Sequence, residues 1–103
     1  MREKLLKIIN NYGVMPQLKY FQSEVFELGE AIINYENDEF NYYDEVDSSN
    51  KKHIAEEIAD VIVMLKQFQH YYEIEDEAIK EVMKYKVERQ LDRIKNEDRS
   101  KNN

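Results

Sequence analysis

Cysteine is absent from this 103-residue chain, which excludes a disulfide framework and any thiolate metal site. That absence agrees with a cytoplasmic setting, which is the expectation here. No long apolar run opens the chain either. The segment "MREKLLKIINNYG" is charged, and its apolar stretch is too short for a signal peptide or a membrane span. Glycine occurs twice and proline once, while 36% of the residues are charged. Such scarce punctuation disfavours many short strands and points to long helices. Positive charge is also in short supply, with a formal net charge of −7. A nucleic-acid polymer, which needs clustered Lys and Arg, is therefore not an expected partner. A small phosphate ligand is not excluded, because acidic residues can hold a divalent cation that in turn carries phosphates.

The chain is long enough for one modest core, and its periodicity predicts an all-α fold: an antiparallel bundle of about four helices. The first covers residues 2–12, with Gly13 suited to a left-handed C-cap and Pro16 to the first turn of the next helix. The second runs from Pro16 to Tyr35, with a seam of Leu18, Phe21, Val25, Leu28 and Ile32. The third spans Asn50 to Tyr72 on Ile54, Ile58, Val61, Leu65, Phe68 and Tyr72. The fourth starts near Glu75 or Asp76 and ends near Ile94. Residues 1–94 thus form a single domain and 95–103, "KNEDRSKNN", a disordered tail. No internal repeat is evident. Between the second and third helices, residues 36–49 are acidic and aromatic, a lid, binding loop or linker closed by Asp47, Ser48 or Ser49 as N-cap.

The third helix, "HIAEEIADVIVMLKQF", sets Glu57 on one flank of its seam and Asp60 one step further round, with Met64 and Tyr71 continuing that side. The second sets Glu24 beside its seam and Glu27 further round, with Tyr20 and Ala31. Each helix therefore carries an acid-x-x-acid pair on the shoulder of its packing face, and packing the two brings four carboxylates toward one another. Glu30, which would make an alternative pair with Glu27, lies away from that face. Like charges in a partly dry site repel and raise one another's pKa unless a cation intervenes. All-oxygen ligands favour a hard ion, Mg²⁺ or else Mn²⁺. A di-iron carboxylate bundle would need Glu-x-x-His pairs, but Asn50 precedes His53 and Gln67 precedes His70 at that spacing. Any single acidic pair is an ordinary helix surface; two of them, each beside a seam, carry the signal.

On the fourth helix Lys86 falls within the apolar stripe of Ile79, Val82, Met83, Val87 and Ile94. Gln90 and Arg93 share its face, and Arg89 lies at the edge. A lysine in a packing face costs desolvation unless an anion meets it, and that anion is either one of the carboxylates or a ligand phosphate.

Together, "EVFELGEAI" and "EEIADVIVML" resemble the two acidic motifs of the MazG-like all-α nucleoside triphosphate pyrophosphohydrolases, relatives of the dimeric dUTPases. Glu24 and Glu27 match the first motif, Glu57 and Asp60 the second. "KYKVERQLDRI" resembles the basic segment on the helix that follows, with Lys86 the best-matched position. The likeness covers residues 17–94. Ser23 stands where the family often carries a further acid, the asparagine often found in the basic segment is not evident, and the interval from Leu28 to Glu56 is at the long end for the family. The resemblance implies Mg²⁺-dependent hydrolysis of a (deoxy)nucleoside triphosphate to the monophosphate and pyrophosphate by a dimer or tetramer. Glu24, Glu27, Glu57 and Asp60 would hold the metal, Glu24 or Glu56 would orient or deprotonate water, and Lys86 with Arg89 or Arg93 would bind phosphate. A non-catalytic interaction or nucleotide-sensing module on the same fold is the alternative.

Phe26 and Ile33 lie off the seam of the second helix, and Ala59, Ile62 and Val63 off that of the third. Helices apolar on more than one side are usually buried on more than one side. A second copy of the chain is the expected cover, although Leu5, Leu6, Ile8 and Ile9 of the first helix can take part of it. Phe40, Tyr42 and Tyr43 could stack on a nucleobase or simply anchor their loop.

Overall fold

The computed structural model describes residues 1–37 and 47–101, and these hold four α-helices and no strand. Helix α1 is Arg2–Tyr12, α2 Val14–Asn37, α3 Asp47–Tyr71 and α4 Asp76–Lys101. None is long and apolar enough to cross a membrane. The acidic loop, with Phe40, Tyr42 and Tyr43, lies outside the described residues except at its two ends, which belong to α2 and α3.

Gly13 alone separates α1 from α2. Its N–H donates to Ile9 O at 2.7 Å, and its φ of 94° with ψ of 157° lies in a region open essentially to glycine. Pro16 is the third residue of α2, where a missing N–H costs no helix bond. At the other end, α3 closes with Tyr72 N–H donating to Phe68 O at 3.0 Å, and Glu73 turns the chain with φ 55°. Helix α4 opens with Asp76 and Glu77 in its first turn and ends with Arg99 and Lys101 in its last, both favourable against the helix dipole. It continues through residues 95–101, which composition had assigned to a disordered tail.

The chain divides into two compact units, Met1–Tyr72 and Glu73–Asn103. In the first, α2 packs along α3, and α1 packs mainly on α3 and less on α2. Residues early in α2 meet residues late in α3: Gln17 meets Gln67, and Phe21 meets Phe68 edge-on with ring centroids 5.8 Å apart. The two helices are therefore antiparallel. Leu5 and Ile9 of α1, Ala31 of α2 and Met64 of α3 are the buried apolar side chains, and Gln17, Glu24, Gln67 and Gln69 are buried with them.

Those polar residues relocate the seam. On α2 the most buried line is Gln17, Glu24 and Ala31, one every seven residues, flanked by half-buried Leu18, Phe21 and Leu28. Val25 and Ile32, expected on the seam, are exposed. On α3 the line runs through Ile54, Glu57, Val61, Met64, Gln67 and Phe68, while Ile58, Leu65 and Tyr72 are exposed. Both helices are thus turned about one step toward their carboxylates.

The second unit, α4 with the residues leading into it, buries no side chain fully. Ile74, Ala78, Ile79, Val82 and Met83 line a shallow hollow of about 300 Å³. Lys86 lies one turn beyond Val82, and Lys86, Arg89 and Arg93 form an exposed basic row at three- and four-residue spacing.

Candidate metal centre

The rotation of the seam carries the acids inward. Glu24, at the centre of α2, is 5% exposed. From α3, half-buried Glu57 and exposed Asp60 come within one turn of each other. One carboxylate oxygen from each of the three lies within 4.8 Å of the others. Opposite oxygens around a six-coordinate Mg²⁺ are about 4 Å apart, so this spacing suits a single hard cation.

Hydrogen bonding points the same way. Glu24 Oε2 and Glu57 Oε2 are buried and have no partner among the described residues. A buried carboxylate oxygen without a donor is costly; a cation at the centre of the group would satisfy both. Burial pushes the Glu24 carboxyl above its ordinary pKa, the Tyr20 hydroxyl opposes this by donating to it, and the charges of Glu27, Asp60 and Glu57 push it up further. Tyr20, one turn before Glu24, has its own hydroxyl pKa raised, chiefly by that hydrogen bond and next by the Glu24 charge.

Glu27 is exposed and is not one of the close three. It lines a second hollow of about 240 Å³ with Glu30, Ala31, Asn34, His53 and Glu57, and its charge reaches Glu24. Glu30, set aside on periodicity, borders this hollow too. His53 Nε2 approaches Glu57 Oε1 to 3.8 Å; it lies one helical turn before the acid, so a search for Glu-x-x-His ligand pairs passes it by. Glu56 is exposed on α3, outside the close group. Lys86, Arg89 and Arg93 are exposed residues of the second unit.

Two residues that the sequence did not single out are buried two turns away along the same helices. Gln17 and Gln67, both buried, are joined by a 2.8 Å hydrogen bond from Gln17 Nε2 to Gln67 Oε1. A signal for Gln17 was present: it precedes Glu24 by seven residues, the spacing at which a helix face recurs. No protein-family model, curated protein or solved structure matches the chain. The likeness to MazG-like enzymes therefore rests on the two acidic motifs and the basic segment alone.

Proposed function

We propose that this protein is a Mg²⁺-dependent nucleoside triphosphate pyrophosphohydrolase of the MazG-like type, acting in the cytoplasm as a homodimer or homotetramer. One observation carries the reading. The motif acids Glu24 and Glu57 each hold a buried oxygen with no partner among the described residues, and one oxygen of each lies close to one of Asp60. A helix pair selected for stability alone would have apolar side chains or a charge partner there.

Glu24, Glu57 and Asp60 would hold the ion, and Glu27, which lines a hollow with Glu57, is the fourth acid that the resemblance assigns to it. An ion held by these residues would offset the charge of a triphosphate and polarise its phosphorus toward attack by water. Glu56, exposed on α3 next to Glu57, and Glu24 are the two carboxylates that could orient the water and accept its proton. Lys86, Arg89 and Arg93, the residues that the resemblance assigns to phosphate, form an exposed basic row on the second unit, and positive charge of that kind stabilises negative charge as it accumulates on phosphates.

The deciding assay is pyrophosphate release from a panel of standard and modified ribo- and deoxyribonucleoside triphosphates, with Mg²⁺, with Mn²⁺ and with EDTA. Metal-dependent release, with the monophosphate as co-product, is the expected result. A folded protein that binds metal and nucleotide but releases nothing would be a nucleotide-sensing or interaction module instead.

A further inference from the structure

Tyr20 stands one helical turn before Glu24 on α2, at the four-residue spacing that sets two side chains against each other. Its hydroxyl donates a hydrogen bond to the Glu24 carboxylate. Glu24 Oε2 has no partner among the described residues, so that bond falls on the other oxygen, Oε1. The phenol also lies on the side where the acids gather. Tyr20 and Asp60 line one cavity, where the end of α1, the start of α2 and the middle of α3 meet, and the charges of Asp60 and Glu27 reach the same hydroxyl. Tyr20 itself is 56% exposed, whereas the residue it holds is 5% exposed.

Glu24 therefore has one oxygen tied back to its own helix and one free. The last torsion of a glutamate side chain is broad, so an untied carboxylate can turn either oxygen, or neither, toward Glu57 and Asp60. A donor on Oε1 fixes the plane of the carboxylate and leaves Oε2 to meet a cation. A phenol suits that task because it is neutral: it orders the acid without supplying the positive charge that a lysine or arginine would set against the ion. The counterpart on α3 differs. His53 also stands one turn before its acid, but Nε2 is 3.8 Å from Glu57 Oε1 and the imidazole is 58% exposed, a separation too long for a hydrogen bond. One spacing thus gives a hydrogen-bonded clamp on α2 and a loose approach on α3.

We propose that Tyr20 is a positioning residue of the metal centre, holding one oxygen of Glu24 so that the other is presented to a divalent cation shared with Glu57 and Asp60. The assignment rests on the metal-centre reading of those acids. A carboxylate ordered in advance has less freedom to lose when the ion binds, and loss of an outer contact of this kind costs about 10–100-fold in metal affinity.

The test uses the whole protein and Mn²⁺ alone, with the free ion followed by its paramagnetic resonance signal. Tyr20→Phe removes the hydroxyl and keeps the ring, at an exposed position. It is expected to weaken Mn²⁺ binding about tenfold or more, with helix content retained. Tyr12→Phe removes the hydroxyl of another exposed tyrosine of the same cavity and is expected to leave the affinity unchanged. A second readout needs no variant of altered affinity. In wild-type protein carrying ¹³C at the Cζ of its eight tyrosines, the Tyr20 signal is identified by its absence from Tyr20→Phe. Substoichiometric Mn²⁺ is expected to broaden that signal before the Tyr12 signal. Equal affinity in wild type and Tyr20→Phe would overturn the assignment and leave the metal centre standing, and a lower melting temperature in EDTA alone would make Tyr20 a structural residue. Equal weakening by Tyr12→Phe, or broadening of Tyr12 ahead of Tyr20, would overturn it as well. A wild-type protein that binds no Mn²⁺ removes the metal centre and the positioning role together.

Discussion

Glu24 is subject to two opposed requirements, and its protonation links them. Its folded-state pKa is raised, so in metal-free protein its contribution to stability is fully present below the ordinary carboxylate range and is lost as pH rises through the elevated value. Thermal melts in EDTA should therefore show stability falling across that interval. Glu24→Gln should flatten the fall and raise the neutral-pH melting temperature, because a neutral amide replaces a buried unpaired charge. Mg²⁺ should stabilise the wild type at neutral pH, do little at acid pH, and have no effect on Glu24→Gln. Asp60 makes a useful contrast because it is exposed. Asp60→Asn should change stability by less than about 0.5 kcal/mol. Its effect on kcat/KM, measured by pyrophosphate release, should exceed the ~10–100-fold that even outer-shell partners of a metal contribute. The acids were legible in the sequence because two pairs at one spacing are a pattern. Gln17 and Gln67 were not, since an amide among apolar residues has no charge to mark it and its partner is fifty positions away.

Helices in this chain announce themselves through what interrupts them. Gly13 and Pro16 marked the first junction, and α1 runs over the expected residues 2–12. Gly13→Ala would force a side chain into a backbone region that costs about 1–3 kcal/mol, although the added methyl would meet only Pro16 Cδ at 3.6 Å. Urea unfolding should show that loss without a change of slope. Glu73 is the opposite case: a non-glycine residue at φ 55°, a conformation that costs L-residues roughly 1–2 kcal/mol. Glu73→Gly should leave stability unchanged or raise it, as read by the same urea midpoint. The seams were harder to read. Periodicity assigns apolar residues to the interior and treats acids as flanking, and that rule fails where a helix face buries polar side chains such as Gln17 and Glu24. The result was an error of about one helical step on α2 and α3, which left Glu24 on the shoulder instead of at the centre. The end of α4 failed for another reason: polar composition through Lys101 looked like a tail, yet spaced charges on a helix need no core to remain helical.

At the scale of the whole molecule, the surface carries much that is apolar. Phe26 is 65% exposed, Ile33 56% and Ile62 47%, and α1 does not cover them. A chain that leaves such side chains in water is expected to associate. Sedimentation equilibrium should give the mass of two or four chains, and Phe26→Lys with Ile33→Lys should lower it. All-helical architecture was legible throughout, from scarce glycine and proline and from long amphipathic stretches.

The buried line of Gln17, Glu24 and Ala31 has a consequence for how this protein tolerates change. In most small domains the interior can be exchanged for other oily residues at modest cost, and the reactive groups sit at the rim. Here two of the three innermost positions of α2 are polar. A saturation library sorted for fold survival would enrich hydrophobic replacements at Gln17 and Glu24, while one sorted for the proposed turnover would discard those at Glu24. The two maps would disagree most at the centre of the protein, and a thermostable version would have to be sought at its outside.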